Sequence, residues 1–162
     1  MSNHNGEKSL ESWIWEAACS IRGEQDAPKY KDYILPLIFV KRLCDVFDDE
    51  VERIAEKVES KTKALKLIEK DHKIVRFYLP MRAKNVETDD TWSIIRTLTD
   101  KVGESLTTAM RQIAEHNPRI KGIIDRVDFN ATTHGQRDIS DEGLSRLIER
   151  ISMKRLGLNN VE

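Results

Sequence analysis

Glycine and proline are scarce in this chain, with seven and four among 162 residues. That scarcity disfavours a turn-rich all-β fold and suits long helices. Aromatic residues make up only 6 %, so aliphatic side chains must do most of the packing. The two cysteines, Cys19 and Cys44, sit in apolar helical stretches and read as buried thiols rather than as a disulfide. No apolar run approaches membrane-spanning length, and the first residues lack the charged-then-apolar order of a leader peptide. The expected location is the cytoplasm, with no membrane partner. Net charge is nearly absent too, at −1. That argues against an autonomous nucleic-acid binder, while a local basic patch remains compatible with it.

Familiar catalytic patterns are also missing. A methyl-transfer or nucleotide enzyme needs a glycine-rich turn after a strand, where backbone approaches the cofactor closely. Gly6, Gly23, Gly103, Gly122, Gly135, Gly143 and Gly157 are too scattered to build one. His4, His72, His116 and His134 share no metal-ligand spacing with one another or with the cysteines. No catalytic, cofactor-binding or metal-binding residue is therefore expected in this chain. Asp48-Asp49-Glu50 resembles a carboxylate cluster, but no pocket is implied around it, and it reads as a solvated helix face.

What is present is a hydrophobic fraction of 39 % and a charged fraction of 34 %, enough for one core under a heavily solvated surface. Residues 1–8 are polar and aperiodic, and are expected to be disordered. A first helix is expected from Ser9 to Arg22, with Leu10, Trp13, Ile14, Ala17 and Ile21 on one face and Gly23 as its stop. The second helix carries the strongest signal. Tyr30, Tyr33, Leu37, Val40, Cys44, Phe47, Val51, Ile54 and Val58 alternate steps of three and four, which keeps one apolar seam in one direction. Between Ile34 and Phe47 apolar residues spill around the cylinder, so burial on most sides is expected there. From Asp48 onward the other faces turn acidic and should reach solvent. Pro36 should kink or break the helix near its start.

Further helices are expected from Lys61 to His72, around Trp92, Ile95 and Leu98 with Asp90 or Thr91 as cap, from Lys101 to His116, and from Asp141 to Arg155 with Gly157 as terminator. Val75 to Leu79, closed by Pro80, and Val127 to Phe129 read as short strands that could pair. Residues 82–90 read as a polar loop. The fold class is mainly α: a helical bundle with a long second helix and at most a small two-stranded β patch.

One charge pattern is sharper than the rest. From Lys61 to Lys84 there are eight Lys or Arg against Glu69 and Asp71. Lys63, Lys66, Lys70 and Lys73 follow steps of three, four and three, which places four ammonium groups on one face of the third helix. Such a stripe suits a phosphate backbone. An ordinary solvated face is the competing reading, and the acids between Asp45 and Glu59 stand ready to neutralise part of it.

Two segments resemble a known family. Leu10-Glu11-Ser12-Trp13-Ile14-Trp15-Glu16-Ala17-Ala18, ending in Ile21-Arg22-Gly23, is followed by Tyr30-Lys31-Asp32-Tyr33-Ile34-Leu35-Pro36-Leu37-Ile38-Phe39-Val40-Lys41-Arg42-Leu43-Cys44-Asp45. Together they resemble the opening of the modification (methyltransferase) subunit of type I restriction enzymes. Phe77-Tyr78-Leu79-Pro80 and the later Trp92 are similar to that family as well.

The resemblance implies that residues 9–157 are the helical N-terminal domain of such a subunit, and that residues 158–162 begin a linker to a catalytic domain. The full-length protein would then methylate the exocyclic amine of adenine at a specific duplex sequence, using S-adenosylmethionine and flipping the base from the stack. A specificity subunit, a nuclease subunit and a second modification subunit would be its partners, and this domain would help enclose duplex DNA and assemble the complex. The family's catalytic Asn-Pro-Pro-aromatic motif has no counterpart here, because Asn117-Pro118 is followed by Arg119. A stand-alone helical adaptor for protein partners is the alternative that the long apolar seam leaves open.

Overall fold

The computed structural model describes residues 27–83 and 90–158, together with Ser12. The expected first helix, with Trp13 and Cys19, lies otherwise outside the described residues. Among those described there are six α-helices: α1 (Ala27–Val58), α2 (Lys61–Lys70), α3 (Pro80–Ala83), α4 (Trp92–Arg96), α5 (Val102–His116) and α6 (Asp141–Ser152). Two-residue strands β1 (Thr132–Thr133) and β2 (Gln136–Arg137) form the small antiparallel patch. The mainly α class is as expected, with the long helix and the minimal sheet in place.

The apolar seam of α1 organises the core. Leu37, Val40, Cys44, Phe47 and Val51 are buried along it, and Tyr33 with them. Cys44 is a free buried thiol. The helix runs unbroken through Pro36, although proline offers no N–H to the carbonyl one turn earlier. Burial on most sides holds only partly in the first half of α1, because Leu35 is 53 % exposed. On α5, Leu106, Met110 and Ile113 face inward, and on α6 Leu144, Leu147, Ile148 and Ile151 do so. Helix α6 touches α1, α4 and α5 and so closes the bundle. Its start is well specified: Ser140 Oγ accepts from the Gly143 N–H at 3.0 Å, and Asp141 and Glu142 occupy the positive end of the helix dipole.

Neither expected strand forms. Residues 75–79 and 127–129 are extended or turning backbone without a ladder. Side chains take the place of a partner strand. The Arg76 N–H donates to Glu50 and the Tyr78 N–H to Asn117 Oδ1, while Asn117 Nδ2 donates to the Tyr78 and Ile113 carbonyls. The Phe129 N–H donates to Thr107 Oγ1, and its carbonyl accepts from Arg137. With those groups satisfied, nothing drives these runs to pair. The strands that do form flank His134 and Gly135, both at positive φ, at 52° and 77°. That is the backbone a tight two-residue hairpin requires.

Helix ends also differ from expectation. Helix α2 stops at Lys70, because Asp71 turns extended and its carboxylate accepts the Lys73 N–H at the head of a 3₁₀ turn. Pro80, expected to close a strand, instead opens α3 at a position proline favours, and Arg82 and Ala83 of the expected loop belong to that helix. Helix α6 ends at Ser152, so Gly157 does not terminate it.

Candidate nucleic-acid interface

Helix α2 is held so that its basic face must point outward. Ser60 caps it, accepting from the Lys63 N–H at 3.2 Å. Ala64, Leu65 and Ile68 are buried, and α2 packs on α1. Lys63, Lys66 and Lys70 lie on the opposite side and are exposed. Lys73 is exposed as well, but it lies in the 3₁₀ turn His72–Ile74 and does not continue the helical face. The expected row of four on one face is therefore three on a helix and a fourth on the turn beyond it. Among the described residues, none of these ammonium groups pairs with a carboxylate. The acidic end of α1 thus leaves their charge open to a ligand.

Beside this face, the ring of Tyr78 is sandwiched into its surroundings. His72 stacks on it with centroids 3.5 Å apart, and Tyr78 Oη donates to Glu69 at 2.6 Å. Burial and the Glu69 carboxylate push the Tyr78 hydroxyl well above its ordinary range. It stays a neutral donor that ties the outer surface of α2 to the segment before α3. His116 leans on the same cluster and meets the Gln112 carbonyl at 3.0 Å.

The central acids of α1 are not the solvated face that their sequence implied. Asp45 is buried, pairs with Lys41 and accepts the Leu156 N–H at 2.7 Å. Asp48 accepts from the N–H and hydroxyl of Thr91 at 3.0 and 2.6 Å. Asp49 accepts from Arg155 and from the Leu158 N–H. Burial pushes the Asp48 carboxyl up, and its hydrogen bonds and the nearby Arg82 charge offset this only in part. Burial acts on Asp49 in the same direction, but Arg155 and the Leu158 N–H outweigh it and hold that carboxyl below its usual range. A cleft of about 480 Å³ opens over Lys41, Asp45, Asp48 and Trp92. Its floor consists of groups already bound to one another. Among the described residues no cluster of His, Cys, Asp or Glu is arranged to hold a metal ion.

A protein-family model described as the HsdM N-terminal domain matches residues 10–151. The chain belongs to this family. HsdM is the modification subunit of type I restriction–modification systems, and the resemblance seen in the sequence is thereby established at the level of the domain. Comparison with curated proteins finds none that matches. Within the HsdM N-terminal domain, the Phe77-Tyr78-Leu79-Pro80 run is a side-chain-clamped connection between α2 and α3. Among the described residues, no helix is long and apolar enough to cross a membrane.

Proposed function

We propose that this domain serves a cytoplasmic type I modification subunit that methylates adenine in duplex DNA, and that it holds DNA and partner subunits rather than the reacting groups. The partners in this reading are a specificity subunit, a nuclease subunit and a second modification subunit. The family match over residues 10–151 supports the context. The ammonium groups of Lys63, Lys66, Lys70 and Lys73, which pair with no carboxylate among the described residues, supply the contact, a sequence-independent hold on phosphates.

S-adenosylmethionine is the methyl donor of such a subunit, and the residues here do not fit it. Gly103 and Gly143 lie in the first turns of α5 and α6. Gly122 and Gly135 occupy positive-φ turns. A Cβ on Gly157 would strike Asp49 and Arg155. None follows a parallel strand or lines a nucleoside-sized cradle, so in this proposal the cofactor is held by other parts of the subunit. Calorimetric titration of this chain with the cofactor should show no saturable heat at micromolar concentrations, and clear binding would overturn that assignment.

The interface is tested in the assembled enzyme. Replacing Lys63, Lys66, Lys70 and Lys73 with glutamine should weaken binding equally for target and non-target duplexes. Each lost phosphate contact should reduce the slope of log affinity against log salt by about one unit. An unchanged affinity and slope would return the four lysines to an ordinary solvated surface.

A further inference from the structure

The surface that carries the α2 lysines continues past the end of that helix. Two elements distant in sequence meet there. The His72 ring stacks on Tyr78 with centroids 3.5 Å apart. His116, in the last turn of α5, lies 5.5 Å from the Tyr78 ring and 6.0 Å from the His72 ring. The next residue fixes the junction. Asn117 Oδ1 accepts the Tyr78 N–H at 2.8 Å, and Asn117 Nδ2 donates to the Tyr78 carbonyl at 2.7 Å. The chain leaving α5 is thereby bound to the chain that follows α2. It then turns through the 3₁₀ helix Pro118–Ile120, closed by the Lys121 N–H on the Pro118 carbonyl.

That turn presents two more cations. Arg119 and Lys121 are exposed, while Ile120 between them is buried and anchors the turn. Among the described residues, neither cation pairs with a carboxylate. Three acids close by in sequence are engaged elsewhere. Glu69 accepts from Tyr78 Oη, Asp71 from the Lys73 N–H and Asp125 from the Gly122 N–H. Glu115 is exposed beside His116 and offsets part of the positive charge.

Taking α2 as a DNA contact, as proposed above, we infer that Arg119 and Lys121 extend it. One duplex backbone is then held from two elements, joined at the His72–Tyr78–His116 cluster. Lysines on a single helix meet phosphates along one line and leave the complex free to roll about it. Cations on a second element, fixed to the first, remove that freedom and set the orientation of the domain on the duplex. Arg119 adds a planar fork that can meet two phosphate oxygens at once, which an ammonium cannot.

The test uses the assembled enzyme. Arg119→Gln combined with Lys121→Gln should lower duplex affinity roughly tenfold at low salt, equally for target and non-target sequences. The slope of log affinity against log salt should fall by about two units, one for each lost contact. Lys101→Gln is the control. Lys101 is exposed at the opposite end of α5, about 22 Å from His116, and its loss should leave both quantities unchanged. The urea midpoints of all these variants should match the parent, which separates binding from folding.

The variant lacking Lys63, Lys66, Lys70 and Lys73 is measured alongside. A loss there with none in the Arg119, Lys121 pair would confine the contact to α2, and would overturn this proposal while the proposed function stands. No loss in either variant, or a loss in the pair alone, would overturn both. A loss per charge as large for Lys101→Gln would reduce the effect of the pair to net charge and overturn the proposal as well.

Discussion

Between Asp45 and Glu50 the carboxylates of α1 accept four backbone N–H groups, those of Arg76, Thr91, Leu156 and Leu158. Further along, Glu52 and Glu56 on α1 and Glu59 in the turn just past its end face water. The residue types are the same and the helix is continuous, so neither composition nor helical propensity separates the two stretches. What separates them is what lies alongside. The first stretch is crossed by three irregular segments whose backbone polar groups lack partners of their own. A carboxylate there replaces the missing strand or helix and fixes where each segment passes. Among the described residues, the second stretch packs beside α2, which satisfies its own backbone, and its acids remain free to shape the surface field.

The largest effect is expected at Asp45. Replacing it with alanine strands the Lys41 ammonium in a buried site and leaves the Leu156 N–H without its acceptor. A loss of about 3–5 kcal/mol is expected in urea unfolding. The double variant Lys41→Met, Asp45→Leu should recover much of that, since removing both charges removes the desolvation penalty with the attraction. If the single variant lost less than about 1 kcal/mol, the distinction between the two acidic stretches would fail at its strongest point.

Gly157 sits against a neighbouring contact, the Asp49–Arg155 pair. A Cβ there would strike Asp49 and Arg155, in the segment that Arg42 also grips through the Leu156 and Gly157 carbonyls at 2.5 and 2.6 Å. The atoms in the way are side-chain ends that can shift, so Gly157→Ala should cost no more than about 1 kcal/mol, mainly by loosening the exposed Arg155–Asp49 pair. It should also speed amide hydrogen exchange at Leu156 and Leu158 ahead of the core. A loss above about 2 kcal/mol would mean that Arg155 and Asp49 cannot move aside.

Acid titration separates two neighbours within the first stretch. The Asp49 carboxyl is held below its ordinary value of 3.8. Its contribution to stability is complete above that value and is lost as pH falls through the lower folded pKa. Asp49→Asn should therefore be less stable than the parent at neutral pH, by roughly 1–2 kcal/mol, with the gap closing in strong acid. The Asp48 carboxyl is raised above 3.8 by burial, so the sign reverses. That group favours the folded state most at low pH and loses this advantage as pH rises from 3.8 to its folded value. Asp48→Asn should gain on the parent through that window and lie within about 1 kcal/mol of it at neutral pH. Melting temperatures from pH 3 to 7 would check both curves, and parallel curves would contradict the opposed environments.

Much of the bundle was legible because it depends on local spacing. The seam from Tyr33 to Val51, the inward residues of α5 and α6, and the stop at Asn117-Pro118 are all one-dimensional patterns. The exposed lysines of α2 were readable for the same reason. What escaped depends on partners far along the chain. Residues 75–79 alternate like a strand, yet their backbone is bound by Glu50 and Asn117, 26 and 39 residues away. Asn117 merely follows the expected helix end at His116 in the sequence, yet its amide bridges the Tyr78 and Ile113 carbonyls. Arg82, which is 1 % exposed, looked like a loop cation. The hairpin at His134-Gly135 did leave a signal, a turn dipeptide between Thr-Thr and Gln-Arg. It lacked apolar alternation because neither strand faces the core.

The smallest stability effect is expected where the acids face water, and there the comparison turns functional. Replacing Glu52, Glu56 and Glu59 together with glutamine removes three negative charges from the end of α1 and the turn after it, and breaks none of the backbone contacts found at Asp45 to Glu50. Each substitution should change unfolding free energy by no more than about 0.5 kcal/mol. The same change raises the local potential beside Lys63, Lys66 and Lys70. If those ammonium groups face phosphates in the assembled enzyme, duplex affinity at low salt should rise roughly two- to tenfold, equally for target and non-target sequences. The gain should fade as added salt shortens the screening length. A large stability loss would show that these glutamates hold structure after all, like their neighbours earlier on α1. Unchanged stability with unchanged affinity would place DNA beyond the reach of this surface and separate the basic face of α2 from the function proposed for it.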